Sequence, residues 1–305
     1  MTVLELSHVT KHFGSVAAVE DVSFAVPPNA VFGLIGKNGA GKTTAMKMIL
    51  GFLKADAGTI FVCGEKVVFG EGKTNRHIGY LPDVPSFYGY MTPKEYLGFC
   101  GKISGMSKEE IHKRSELLLP LTGLDGINRR IKGFSRGMLQ RLGIAQALLH
   151  SPSLLICDEP TSALDPVGRK EILEILLLAK ADTTVIFSTH ILADVERISD
   201  SIGILNQGKL VLSGALSKLK ELGRKDMVRV EFAGEAGVPS LAEKIAKLPG
   251  IDTVVVKGSV LEIGMNAFAK VPEGLWMEIL KARLPLRKYE VLEPSLENLF
   301  LEAVK

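Results

Sequence analysis

The chain has 305 residues, 46% hydrophobic and 23% charged, which at roughly 150 residues per domain corresponds to about two domains with large cores. That composition excludes a disordered tail, a collagenous repeat and a small disulfide-stapled scaffold. Its 37 basic and 34 acidic residues leave a net charge of +3, too weak for a nucleic-acid footprint.

A mean hydropathy of +0.22 raises the question of a membrane span. Apolar stretches such as Ile172 to Ala179 are interrupted well before the ~20 residues a bilayer requires. The start, Met1 to Ser7, shows no positive region followed by an apolar core, so no secretory signal and a soluble chain are expected. Cys63, Cys100 and Cys157 lie far apart and fit no metal spacing, and read as reduced packing residues.

In chain order, Val3 to Phe13 and Val16 to Val26 read as strands, with a turn at Pro27-Pro28-Asn29. The apolar run Ala30 to Ile35 feeds a Gly-rich loop and then a helical pattern from Lys42 to Leu53. A buried strand joined to a helix by a glycine loop belongs to parallel-sheet architecture. From about Pro93 to His150 the pattern is mostly helical, an insertion in the α/β body. Ser153 to Cys157 and Thr183 to Ser188 are two further buried strands, each followed by a helical stretch.

A charged stretch, Lys218 to Asp226, separates this region from a second in which only 6 of the 31 glycines and the single Trp276 fall. There the order is a strand at Met227 to Phe232, a helix at Ser240 to Leu248, and a hairpin of Thr253 to Lys257 with Val260 to Ile263. A helix at Leu275 to Ala282, a strand at Lys288 to Leu292 and a helix at Leu296 to Val304 follow. This succession is that of a ferredoxin-like α+β unit with one added helix.

Gly36-Lys-Asn-Gly-Ala-Gly-Lys-Thr43 satisfies the phosphate-loop pattern, for which a chance match in such a chain is on the order of 1%. Glycines let successive N–H groups face phosphate oxygens, and the following helix presents its positive end. Gly36, Asn38, Gly39, Ala40, Gly41, Lys42, Thr43 and Thr44 are therefore the candidate phosphate-binding residues. Lys42 reaches the outer phosphates and the Thr43 hydroxyl suits magnesium. Leu154-Leu-Ile-Cys-Asp158-Glu159-Pro160 supplies a carboxylate pair at a strand tip. By itself such a pair also simply ends a strand; beside the phosphate loop, Asp158 reads as holding magnesium, directly or through water, and Glu159 as orienting or deprotonating an attacking water.

Phe134-Ser135-Arg136-Gly137-Met138-Leu139-Gln140-Arg141, about twenty residues before Asp158, resembles the signature motif of ABC-type ATPases. Thr161-Ser-Ala-Leu-Asp165 looks like that family's D-loop, Ser188-Thr-His190 like its switch histidine, and Phe13 holds the position of its adenine-stacking aromatic. The resemblance covers roughly Val3 to Leu222. It implies a P-loop ABC cassette at 1–222, with a mixed sheet core, an antiparallel β subdomain and a helical subdomain at about 84–150, and an accessory α+β domain at 223–305. It implies ATP and Mg2+ as ligands, with hydrolysis as the activity. Ser135 and Gly137 are expected to meet the γ-phosphate of ATP held by a second ATP-binding subunit, so a head-to-tail pair, most simply a homodimer, is implied. Asp165 belongs to the same set.

Two departures stand out: Asp83 where the family usually has Gln after Tyr80-Leu-Pro, and Arg136 where Gly is usual. Asp83 keeps an oxygen for magnesium or its water. Four of the five tyrosines, Tyr80, Tyr88, Tyr90 and Tyr96, fall within seventeen residues, beside Phe87 and Phe99. Aromatics in such a cluster either pack inward or form an interface patch. The resemblance implies that Pro85 to Tyr96 contacts an integral membrane permease subunit, so the expected location is cytoplasmic, peripheral on the inner face of the membrane, with no nucleic-acid partner. The closing stretch Glu293 to Val304 resembles the end of ATP-binding subunits from exporters of drugs, antibiotic peptides and ions. Two other readings are a soluble ABC-type ATPase acting on ribosomes or DNA, and a switch whose C-terminal domain senses a ligand.

Overall fold

The computed structural model describes residues 2–222, 226–265, 273–292 and 296–303. Glu293, Pro294, Ser295 and Val304 of the exporter-like ending lie outside the described residues. The chain divides into two compact units, Met1–Leu216 and Ser217–Ala303.

The first unit opens with β1 (Leu4–Phe13), β2 (Val16–Val26), β3 (Val31–Ile35), α1 (Lys42–Ile49), β4 (Ala57–Val62), β5 (Glu65–Lys66) and β6 (Ile78–Leu81). The helical segment follows as α2 (Pro93–Ile103), α3 (Lys108–Leu121) and α4 (Arg136–Ala147). Both α2 and α3 begin in reciprocal capping boxes, Thr92 with Glu95 and Ser107 with Glu110, which satisfy the first N–H groups. Next come β7 (Leu154–Cys157), α5 (Pro166–Ala179), β8 (Thr184–Thr189), α6 (Leu192–Ile198), β9 (Ser201–Asn206) and β10 (Lys209–Ala215).

These strands make a four-stranded antiparallel sheet, β2-β1-β4-β5, and a six-stranded sheet, β10-β9-β3-β8-β7-β6, in which only the β10 edge is antiparallel. Strands β3, β7 and β8 are buried at every position, the pattern of parallel strands covered on both faces. Helix α1 is packed in a single core with Leu4, Leu6 and Val62 of the antiparallel sheet and with Leu34, Ile156 and Ile186 of the parallel one. Phe24 of β2 stacks on Phe32 of β3 at 4.8 Å between ring centroids, adding a direct contact between the two sheets. Strands β3, β8, β7 and β6 are consecutive parallel neighbours. The loops at their carboxyl ends emerge side by side, where α/β sheets place ligand sites.

Some elements differ from the sequence expectation. Helix α1 stops at Ile49 rather than Leu53, because Gly51 takes a left-handed φ of 70° and turns the chain. Strands β4, β5, β6, β9 and β10 were not expected. Tyr96, assigned to the exposed aromatic patch, faces inward at 6% exposure, with its hydroxyl 3.1 Å from Gln146 Oε1. Burial drives this correction: position 96 lies on the inner side of α2 beside Leu97.

Helix α7 (Leu216–Leu222) carries the chain to the second unit: β11 (Asp226–Phe232), α8 (Val238–Ile245), β12 (Ile251–Lys257), β13 (Val260–Met265), α9 (Glu273–Ala282), β14 (Leu286–Leu292) and α10 (Leu296–Ala303). The sheet order β12-β13-β11-β14, antiparallel throughout, is that of a ferredoxin-like fold. Its core joins Val228, Val230 and Phe232 of the sheet to Leu241, Ile245 and Ile279 of the helices. Trp276 stacks on Tyr289 at 4.3 Å. Replacing Phe232, 1% exposed, by Ala should destabilise this unit by about 3–5 kcal/mol. Denaturant unfolding followed by Trp276 fluorescence measures it, and an unmoved midpoint would contradict the core assignment.

Candidate nucleotide site

The loop after β3 curls because Gly39 and Gly41 adopt φ of 82° and 106°, conformations that side chains rarely tolerate. A Cβ at Gly41 would also run into the carbonyl oxygen of Ala18. Helix α1 starts immediately afterwards with no side-chain cap and no acidic residue in its first turn, leaving its N–H groups and positive end for an anion. Lys42, 6% exposed, donates from Nζ to the Gly36 carbonyl at 2.6 Å and the Lys37 carbonyl at 3.2 Å.

Strand register brings the carboxylates to the same point. Cys157 pairs with Phe187 across β7 and β8, so Asp158 and Ser188 come out next to each other. Thr43 Oγ1 donates to Asp158 Oδ2 at 2.8 Å and Ser188 Oγ donates to Asp158 Oδ1 at 2.6 Å. The Glu159 N–H donates to that same Ser188 hydroxyl at 2.9 Å. Glu159 has φ of 47°, an uncommon backbone state for a non-glycine residue and one that concentrates at functional sites. Its Oε1 lies 3.2 Å from Lys42 Nζ and its Oε2 2.9 Å from His190 Nδ1.

Ala18, Asn38, Gly39, Gly41, Lys42, Thr43, Thr44, Asp83, Asp158 and Glu159 line one cleft of about 360 Å³. Asp83 enters it from the end of β6. Gln140 Nε2 donates to its carbonyl at 2.8 Å, and Arg136 Nη2 stands 3.5 Å from its Oδ1. Burial raises the Asp83 carboxyl above its ordinary range; Arg136 opposes this, and Asp158 and Glu159 reinforce it. Burial, with the charges of Asp158 and other neighbours, pushes Tyr80 up to about 12.

The donor set fits magnesium. Thr43 and Asp158 offer hard oxygens within hydrogen-bond distance of each other, and the Asp83 Oδ1 atom is buried with no hydrogen-bond partner. No group of three His, Cys, Asp or Glu among the described residues is arranged to hold a metal unaided. Mg2+ commonly takes one or two carboxylates and completes its shell with phosphates and water, which such a site permits.

Other expected residues lie off the cleft. Phe13, 52% exposed, ends β1 with Lys11 Nζ 5.6 Å from its ring centre. Ser135 caps α4, accepting from the Met138 N–H at 3.3 Å, with Gly137 in the first turn. Asp165 caps α5, accepting from the Gly168 N–H at 3.2 Å. Two contributors escaped sequence reasoning: the Ser188 hydroxyl and the buried Gln140. The spacing of Ser188 before His190 was visible, but its role depends on the β7–β8 register.

A phosphate loop, a strand-tip Asp-Glu pair and a histidine on its second carboxylate, at the ends of adjacent parallel strands, are the layout of a P-loop ATPase of the ABC type. Residues 19–162 match the family model described as ABC transporter, and 214–304 match that of the ATP-binding protein DrrA1-3-like C-terminal domain. The chain is 34% identical over 304 residues to the linearmycin resistance ATP-binding protein LnrL of Bacillus subtilis (98% of this chain, 97% of the relative). It is 39% identical over 229 residues to the bacitracin transport ATP-binding protein BcrA of Bacillus licheniformis (73% of each). A solved structure of an ATP binding subunit of an ABC transporter matches with a TM-score of 0.66 at 34% identity, covering 72% of this chain and 93% of that one. The chain therefore belongs to the ATP-binding proteins of ABC transporters, a family that binds and hydrolyses ATP and works with membrane permease subunits.

Ser188→Ala removes the hydroxyl that orients Asp158 and holds the Glu159 N–H. ATP turnover, measured as phosphate release, should fall about 10- to 100-fold. Turnover within twofold of the parent chain would contradict this role.

Proposed function

We propose that this chain powers an exporter as one of a head-to-tail pair of ATPase subunits beneath a separately encoded membrane subunit. The observation that carries the proposal is the split of the chemistry over two surfaces. Lys42, Thr43, Asp158 and Glu159 converge on one cleft, whereas the helix starts at Ser135 and Asp165 lie outside it, available to a nucleotide held by a second copy.

ATP phosphates take the N–H groups of the Gly36–Thr44 loop and displace Lys42 Nζ from its carbonyl partners. Thr43 Oγ1 and the Asp158 carboxylate would hold magnesium, with Asp83 lining the same cleft, and the metal would neutralise phosphate charge there. Glu159, no longer shared with Lys42, takes the proton of the attacking water. His190 holds its second oxygen in place and donates to the γ-phosphate. Phe13 offers an exposed ring for adenine.

The membrane partner docks on the aromatic surface at Pro85 to Tyr90. Tyr88 and Tyr90 are 49% and 63% exposed with ring centres 5.9 Å apart, beside a groove of about 510 Å³ lined by Ser86, Phe87, Tyr88 and Phe99. No described helix is long and apolar enough to cross a membrane; docked on its membrane partner, the chain would sit on the inner membrane face. Both named relatives deal with antibiotics, which favours export over work on ribosomes or DNA.

Replacing Tyr88 and Tyr90 together by Ser should reduce recovery of the membrane subunit in pull-downs from detergent-solubilised membranes about fivefold or more, with ATP binding retained. Undiminished recovery would overturn the docking assignment.

A further inference from the structure

The cleft is an awkward receptor for a polyphosphate. Its lining carries three carboxylates, Asp83, Asp158 and Glu159, against a single ammonium, Lys42. Two of the three are engaged: Asp158 by the hydroxyls of Thr43 and Ser188, Glu159 by Lys42 and His190. Asp83 is different, since its Oδ1 has no hydrogen-bond partner and its nearest cation is Arg136, 3.5 Å away.

We infer that Arg136 is a positioning residue of the nucleotide cleft, whose guanidinium offsets the Asp83 carboxylate and so lets the cleft accept a polyphosphate. The inference rests on the cleft being the ATP site. Two features make the contact a built one. Arg136 and Gln140 stand four residues apart on α4, so both face the same neighbour. That neighbour is Asp83: fully buried Gln140 holds its carbonyl at 2.8 Å while Arg136 faces its carboxylate. Asp83 is thus held through its main chain against the same helix that carries Arg136.

The two side chains are 45% and 46% exposed, and pairs this open contribute little to stability and are screened by salt. The weight of the contact therefore falls on what the carboxylate does to an incoming anion. Without Arg136, Asp83 presents an uncompensated negative charge to the phosphates. Without Asp83 there is nothing for Arg136 to offset.

A binding cycle in the full-length chain tests this, with the affinity for metal-free ATP measured by titration calorimetry in excess chelator, since magnesium would itself meet the Asp83 charge, for the parent, Arg136→Met, Asp83→Asn and the double variant. Arg136→Met should weaken ATP about five- to tenfold in the parent and less than twofold in the Asp83→Asn background. Arg136→Lys, which keeps the charge, should bind within about twofold of the parent, and raising the salt from 50 to about 500 mM should shrink the Arg136→Met defect. Equal losses in both backgrounds, or no loss in either, would overturn the inference. If the parent binds no ATP, or Lys42→Ala binds equally well, the reading of the cleft itself fails instead.

Discussion

The carboxylate of Asp158 is the constraint on which the site depends. At 3% exposure it is almost fully withdrawn from water, and burying an ion costs several kcal/mol unless partners replace its hydration. Two hydroxyls do so, one from α1 and one from β8, each at 2.8 Å or less. Those bonds exist only if the phosphate loop delivers Thr43 to the first turn of α1 and the β7–β8 register delivers Ser188 to the adjoining strand tip. Loop, sheet and site are therefore specified together.

Around this anchor the remaining groups are held in opposition. Glu159 sits in a strained backbone state with its two oxygens divided between Lys42 and His190. Lys42 in turn is shared between that carboxylate and two loop carbonyls. On the proposed function, a phosphate entering the loop would compete with Glu159 for Lys42. Helices α4 and α5 are each capped by a local side chain, Ser135 at 3.3 Å and Asp165 at 3.2 Å.

Much of the arrangement could be read in advance, for a physical reason. The phosphate loop, the Asp158-Glu159 pair and the buried strands β3, β7 and β8 are local: their chemistry is written in contiguous residues. The ferredoxin-like unit is legible from element order, and its sheet order follows. Contacts between distant segments are not. Ser188 looks like any strand serine until its register against Cys157 is known. Asp83 and Arg136 were each visible as departures, yet only the packing of α4 beside the end of β6 makes them neighbours. Tyr96 misled because an aromatic in a cluster carries no sign of its facing; its place on α2 turns it inward while Tyr88 and Tyr90 stay in solvent. Strand β5, at two residues, is too short for any period to show.

The most direct test of this account is the magnesium dependence of nucleotide affinity in Asp158→Asn. Titration calorimetry with ATP, in excess Mg2+ and again in excess chelator, gives the advantage that the metal confers. The parent chain should bind Mg-ATP at least about tenfold more tightly than metal-free ATP, and Asp158→Asn should lose most of that advantage while still binding ATP through the phosphate loop. An unchanged magnesium advantage in Asp158→Asn would show that the metal is held elsewhere and would contradict the site described for this chain.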